Sequence, residues 1–457
     1  MKITKNLTEG NIYKNYFLYA LPLIFSSLLS SLYSTVDAVV AGKFISEHAL
    51  GAISVTSSFD MLFFAFFDGF SGGFSIYIAQ LFGKGKNSTI KKDSINMALF
   101  VTIFSIVISI VSIMCRNPIL DYLNVDPTLR DDARTYFTIY TAGYFLTYVN
   151  MILVKVLHAL GVTSFSVYVS IISSVIHILG NLFAVLVLGM GVEGLAYSTL
   201  LSVLGSTIIY IIVVIKAFGE LECEKKKHRF DLLCVKKSLC YTLPASVQKL
   251  AFYAAGFFVS PTINALGADA TTGYAVMTRM YNVCAQSFWN TSAGVDCYTG
   301  QCVGMGNHKK LRGGLWAGLW MNVIMLTPFA LIFFFFVKPI ASIFFPAGYV
   351  GTAYEYVIRF FRVYTPFLYI NMIGHLMHSY MRSIGRVNTV LWVTIVGSIV
   401  RIASTIMLVP VFSMDGAYIG QVLSWIADGG LCVIIYFALY HSEQQIKRIV
   451  DKIRAKS

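Results

Sequence analysis

The stretch SLYSTVDAVVAG, Ser31–Gly42, sets Asp37 near the middle of a long apolar run. A carboxylate at the centre of a membrane-spanning helix costs about 2.5–3.5 kcal/mol on insertion scales, so such residues face a bundle interior and tend to serve function. The plainer alternative is a neutral Asp that ties two helices together. A carboxyl held out of water can bind and release a proton near neutral pH. Protonation removes a buried charge, whereas a second cation nearby favours the ionised form. One carboxylate can thereby make two cations mutually exclusive. Tyr33 lies one helical turn earlier on a similar face and can donate to Asp37.

Four more acids fall in apolar runs: Asp60, Asp68, Asp296 and Asp428. Asp60, Phe64 and Asp68 follow an i, i+4, i+8 spacing and make one stripe on a helix. Phe64, Phe67, Met277 and Tyr281 are candidates to line a cleft, where rings offer stacking and cation–π faces and thioethers adaptable contacts. Asp428 reads as structural, with Lys249 or Arg401 as its expected partner. His375 and His378 share a helix face without a third ligand in view, so packing is favoured over metal binding and no metal site is expected.

The elements that must position these residues are membrane helices. Hydrophobic residues make up 57% of the 457, and charged residues 12%, about half the usual share in soluble domains. Most segments are apolar all round, which means lipid contact. Twelve runs reach the roughly 20 residues that cross a bilayer: 16–42, 50–82, 95–115, 134–157, 165–188, 193–215, 239–266, 271–303, 315–337, 357–381, 389–411 and 415–440. The first is too long for a signal peptide and has no cleavage site after it, so it reads as retained. Short loops between the runs make successive spans antiparallel neighbours.

Lys and Arg set the orientation. With the N-terminus inside, the inner loops hold 24 of the 35 basic residues and the outer loops 7. Both termini are therefore expected to be cytoplasmic, and the net charge of +13 requires no nucleic-acid partner. The eight cysteines form no CxxC or Cys/His cluster, which points to neither zinc nor a disulfide framework. No phosphate-binding loop of the Walker type occurs, which disfavours an ATP-driven pump.

The longest polar insert, Lys216–Ser238, divides the chain nearly evenly. YALPLIF at 19–25 answers YTLPASV at 241–247, an offset of 222. QLFGKGK at 80–86 answers QCVGMGN at 301–307 at 221, LHALGV at 157–162 answers MRSIGR at 381–386 at 224, and GVEG at 191–194 answers SMDG at 413–416 at 222. Four matches in order mark a six-helix unit used twice, with the same topology in each copy. The expected fold is all-α and polytopic, with twelve transmembrane helices in two pseudo-symmetric six-helix bundles. Residues 1–215 form the first lobe, 216–238 a cytoplasmic linker, 239–440 the second lobe and 441–457 a basic cytoplasmic tail. Ile446, Ile449, Val450 and Ile453 share a face of that tail, so it can lie on the anionic inner leaflet or stand as a solvated helix.

YSTVDAVVAGKFISEHALGAI, AQLFGKGK and GNLFAVLVLGMGVEGLAYST in the first half, with TLPASVQKL, INALGA, GQCVGMGN and MRSIGRVNT in the second, resemble the ordered motifs of the multidrug and toxic compound extrusion (MATE) transporters. These belong to a wider group that includes lipid and polysaccharide flippases. The resemblance spans essentially the whole chain. It implies a multi-pass protein of a bacterial cell membrane, a monomer without cofactor or enzymatic activity, exporting bulky cationic aromatic compounds against H⁺ or Na⁺.

The resemblance also places the coupling carboxylate at Asp37 and adds Asn181 and, more weakly, Thr199 to its network. Relatives often carry a second acid four residues after the Asn, where this chain has Val185. With one carboxylate fewer and no acid in the apolar parts of the seventh and tenth spans, H⁺ is favoured over Na⁺. Relatives line their cleft with the second and eighth spans, so Asp60, Asp68 and Asp296 are either a cation-attracting wall or structural pairs. A flippase for lipid-linked saccharides is the competing reading. It needs a basic cleft, and Lys155, Lys249, Arg279 and Arg401 look scattered.

Overall fold

The computed structural model describes residues 3–45, 47–122, 125, 127–221, 231–345 and 348–454; the side chains at 31–36, 38–39, 42–43, 47–48, 50–52, 54–55, 57–58 and 440–454 lie outside the description, Tyr33 and the tail among them. No strand occurs among the described residues. α1 (Ile12–Val40) widens into a π-type turn at Ala41–Ile45 and is followed by α2 (Glu47–Gly83), α3 (Asn87–Met114) and short α4 (Arg116–Tyr122). α5 (Arg130–Ala142) and α6 (Tyr144–Ala159) make one rod bent by 45°. α7 (Ser164–Leu182) ends in a second π-type turn, Phe183–Val187, and α8 (Val192–Glu220) follows.

The later part repeats the plan with α9 (Leu232–Asn264), α10 (Ala268–Gly304), α11 (His308–Phe335) and short α12 (Val337–Ala341). Then come α13 (Thr352–Tyr364) and α14 (Leu368–Ser383), separated by one tight turn, and α15 (Val387–Phe412) and α16 (Met414–Arg454). With α5/α6 and α13/α14 each taken as one rod and short α4 and α12 set aside, the described residues form twelve rods.

Hydropathy explains the helices. In hydrocarbon every backbone amide must be satisfied within its own segment, and only a helix does this for a single span. Ile103, Val107 and Ile110 on α3, and Met407 and Val411 on α15, are more than half exposed. Side chains of this kind suit a lipid surface, where outward apolar groups carry no penalty.

The sequence repeat is visible in backbone geometry. Gly85 and Gly306, offset by 221, both turn the chain at φ 66°. Gly161 and Gly385, offset by 224, do so at 76° and 89°. Left-handed backbone of this kind is open to glycine without steric penalty.

Packing divides the chain into two compact units: Met1–Leu250 with Cys297–Gly314, and Ala251–Asp296 with Leu315–Ser457. The first unit is built round an aromatic core. Phe67 and Tyr148 stack at 3.8 Å between ring centroids, with Phe70, Phe100 and Phe104 continuing the cluster. Gly69 and Gly73 of α2 lie directly against the backbone of α9 at Ala245–Ser246 and Tyr241–Thr242. A strap formed by the first residues closes the unit. Ile3 N–H donates to Glu220 Oε1 at 2.7 Å, and Leu7 N–H donates to Gln301 Oε1 at 2.8 Å. The Gln301 amide in turn donates to the Ala159 carbonyl at 3.3 Å.

The second unit packs round Phe288, Phe333, Phe360, Phe361 and Tyr418, with Phe360 set edge-on to Tyr418 at 5.0 Å.

Candidate functional site

Asp37 sits on α1 opposite α7. Asn181 Nδ2 donates to Asp37 Oδ1 at 2.7 Å, and His177 Nε2 stands 3.0 Å from the same oxygen. Thr199 Oγ1 of α8 lies 3.3 Å from His177 Nε2 and donates to its own helix at the Leu195 carbonyl. The His177 side chain is fully buried and that of Asp37 is 15% exposed. Three helices therefore deliver one carboxylate, one imidazole, one carboxamide and one hydroxyl to a single point. Asn181 Oδ1 is buried and has no hydrogen-bond partner among the described residues, which leaves an acceptor beside the carboxylate.

Local sequence explains the placement. His177 and Asn181 are four residues apart and share a face of α7. The helices that carry Asp37 and Asn181 open into π-type turns just beyond them, at Ala41–Ile45 and Phe183–Val187, and these turns pack on each other. Single π turns of this kind recur at functional sites because they re-aim the residues beside them. Val185, at the place of the second acid, is buried with Val40, Ala41 and Ile53. Tyr136, Leu195 and Ala196 belong to the same cluster, so the valine fills packed space at this place.

The other intramembrane acids are all engaged. Tyr144 donates its hydroxyl to Asp60. Asp68 lies between Lys249 Nζ at 2.9 Å and Lys155 Nζ at 3.5 Å. In the second unit, Asp296 takes Arg382 at 3.2 Å and the hydroxyls of Ser379 and Ser383 at 3.3 and 3.2 Å. Asp428 is held by His378 at 3.1 Å and not by the expected Lys249 or Arg401. Lys249 is occupied by Asp68, and Arg401 reaches the Tyr274 hydroxyl at 2.9 Å. The basic residues are thus less scattered than their positions in the sequence suggest, since two of the four meet at one acid.

Among the aromatic and thioether candidates, Phe64 is 47% exposed and Met277 belongs to the core of the second unit. Tyr281 accepts from Asn371 Nδ2 at 2.6 Å and stacks on Trp425 at 5.8 Å. His375 accepts from Trp289 Nε1–H at 3.1 Å, and no cluster of metal-ligand type occurs among the described residues. His177 is the member of the site that the sequence reading does not name. Its signal was the i, i+4 spacing to Asn181 on a helix already expected to face Asp37.

Comparison with known proteins agrees with this architecture. The MatE family profile matches residues 22–183 and 244–407, one segment in each half. The chain is 22% identical over 467 residues to the probable multidrug resistance protein YoeA of Bacillus subtilis, covering 98% of both chains. It is 24% identical over 324 residues to the probable multidrug resistance protein YpnP of the same organism, covering 67% of this chain and 68% of that one. A solved MOP superfamily transporter from Pyrococcus furiosus superposes with a TM-score of 0.88 at 18% identity, over 98% of this chain and 100% of that one. An outward-facing multidrug resistance MATE family transporter does so at 0.87, with the same identity and coverage. A profile that matches both six-helix halves, on a fold shared over nearly the whole length, shows that the chain belongs to the MatE family of membrane transporters.

Proposed function

We propose that the chain is a secondary-active exporter of amphiphilic, cationic aromatic compounds, driven by the inward flow of H⁺ and coupled at Asp37. In this reading both termini are cytoplasmic in a bacterial cell membrane. Residues 1–215 and 239–440 act as two lobes joined by 216–238, and the lobes expose the cleft to each side in turn. The observation that carries the reading is the pair of nitrogen groups on one oxygen of Asp37: His177 at 3.0 Å and Asn181 at 2.7 Å. A proton on this oxygen competes with both nitrogen groups and so alters how α7 is held to α1, while an organic cation near the site keeps the arrangement in which both nitrogens approach the carboxylate.

The imidazole weighs against Na⁺, a hard cation that selects oxygen ligands. The unpartnered Asn181 Oδ1 is the feature that keeps the Na⁺ alternative in play.

A second reading has one observation in its favour. Lys155 and Lys249 bring two positive charges to the single charge of Asp68. That arrangement suits an anionic headgroup, as a flippase for lipid-linked saccharides requires.

The test is transport in proteoliposomes with imposed pH or Na⁺ gradients, using ethidium as the cationic probe and a fluorescent anionic lipid as its competitor. The expected result is ethidium transport driven by the pH gradient, indifferent to Na⁺ and lost in Asp37→Asn. Na⁺-dependent transport without a pH response rejects the coupling assignment. Movement of the anionic lipid without movement of ethidium rejects the cation exporter.

A further inference from the structure

The second unit contains an ionisable pair that the coupling scheme above does not use. His378 Nε2 of α14 lies 3.1 Å from both carboxylate oxygens of Asp428 on α16. The His378 side chain is 5% exposed and that of Asp428 is 23% exposed. The surroundings are built to bring three helices together at this point. A Cβ at Gly397 of α15 would lie 2.9 Å from Asp428 Cβ, and one at Gly374 of α14 would lie 3.3 Å from Gly429 Cα of α16.

The titratable neighbours are few. Cys432 of α16 is buried within hydrogen-bonding reach of His378, and the His375 ring lies 6.0 Å away on α14. His375 takes its hydrogen bond from Trp289 of α10. The nearby charged groups are engaged elsewhere: Asp296 of α10 with Arg382 of α14, and Arg401 of α15 with Tyr274.

The first unit shows what this place needs for structure alone. At the repeat offset of 222, Asp428 corresponds to Ser206 of α8. There, Asn150 of α6 donates to Ser206 Oγ at 3.1 Å and to Thr207 Oγ1 at 3.0 Å. Neutral hydrogen bonds suffice to tie the corresponding helices. The acid at the corresponding position and the imidazole that faces it, where the first unit has Ser206 and, at offset 224, Val154, carry the desolvation penalty of ionisable groups inside a membrane bundle, and neutral groups would avoid it. What the pair adds is the capacity to hold a proton: a neutral imidazole beside an ionised carboxylate has net charge −1, and uptake of one H⁺ by the imidazole brings it to zero as an imidazolium–carboxylate pair.

We propose that His378 and Asp428 form a second proton-binding site in the second unit, separate from Asp37, so that the transporter binds protons in both of its units. The proposal rests on the reading that H⁺ is the coupling ion. The acids of the two sites do not correspond under the repeat, since the offset of 222 takes Asp37 to Val259. The sites therefore lie on different helix pairs and need not respond to the same movement.

The experiment uses the purified full chain in detergent at low buffer strength. Protons released on addition of tetraphenylphosphonium are counted with a pH indicator for the wild type, Asp37→Asn, Asp428→Asn, His378→Gln and the Asp37→Asn/Asp428→Asn double variant. Infrared difference spectra between acid and alkaline pH, without probe, follow the same proteins. The expected result is that Asp37→Asn and Asp428→Asn each lose part of the release, that the double variant loses all of it, and that His378→Gln matches Asp428→Asn. The infrared spectrum is expected to lose a pH-dependent carboxylate or imidazole band in both second-unit variants.

Wild-type release and an unchanged spectrum in Asp428→Asn and His378→Gln overturn the second site and leave Asp37 coupling intact. Full release in Asp37→Asn with loss in Asp428→Asn overturns Asp37 coupling and keeps the second site. Absence of proton release and of pH-dependent bands in every protein overturns both. His378→Gln retains a hydrogen-bond donor toward Asp428, so it carries the test should Asp428→Asn fail to elute as a single folded species.

Discussion

His177 and Asn181 stand one helical turn apart on α7 and approach the same oxygen of Asp37, at 3.0 and 2.7 Å. Among the described residues, the carboxylate is thereby held by one face of α7. A hydrogen bond to an ionised group contributes about 1.5–3 kcal/mol, and a difference of 1.4 kcal/mol is about tenfold in an equilibrium. Asn181→Ala is therefore expected to lower pH-driven ethidium transport by roughly tenfold or more. His177→Leu should do the same, with partial recovery in His177→Gln, which keeps a donor. Initial rates in proteoliposomes of matched protein content provide the measurement. Wild-type rates in Asn181→Ala and His177→Leu would remove both residues from the site.

The glycines of α2 make a paired test of helix packing. A methyl group at Gly69 would overlap the α9 backbone at Ala245 and Ser246, whereas Gly72 has nothing within 4 Å of its added carbon. Gly69→Ala is expected to destabilise by about 1–3 kcal/mol through overpacking. Gly72→Ala is expected to gain up to about 1 kcal/mol from helix propensity. Thermal unfolding in detergent would rank the two variants on opposite sides of the wild type. The reverse order would show that α2 and α9 do not meet as described.

A third prediction concerns acid. Asp231 precedes α9 and accepts from Lys92 Nζ at 2.6 Å, the Cys234 thiol at 3.3 Å and the Leu233 amide at 3.0 Å. These donors, led by Lys92, pull its carboxyl from the ordinary 3.8 down to about 2. A carboxyl lowered by folding stabilises the folded state above its unfolded value, and that contribution is lost as pH falls through the folded value. Asp231→Asn should therefore unfold at lower temperature than the wild type at pH 7. The difference should shrink as the pH falls below 3.8 and disappear only once the pH has dropped past about 2. A gap that stays constant down to that pH would separate the effect from the ionisation of Asp231.

The twelve spans were legible because lipid imposes one rule on every crossing segment, and the chain obeys it with little interruption. Their ends were less so. α3 begins at Asn87 and not at 95, and α9 at Leu232 and not at 239, because hydropathy reports contact with lipid while the helix continues into its polar, lysine-bearing turns. The runs 134–157 and 357–381 each conceal a break, at Gly143 and at the Thr365–Phe367 turn, which an average over apolar residues cannot resolve.

Asp37 stood out because a lone acid in an apolar run is expensive whatever surrounds it. Its partner Asn181 comes from family resemblance, and the only mark His177 carries in the sequence is its spacing of four residues from Asn181. The grouping of Lys155, Asp68 and Lys249 depends on three helices converging, and no spacing along the chain encodes that.

The course of synthesis is constrained by the closing piece of the first unit, Cys297–Gly314. Gln301 there is the acceptor for Leu7, 294 residues earlier, and the donor to Ala159. A ribosome adds about 5–20 residues per second, so several seconds pass between the appearance of Leu250 and that of Gln301. Throughout that interval the nascent helices wait in the bilayer without their final brace. The unit nearest the start of the gene is thus completed only after α10 has followed it into the membrane.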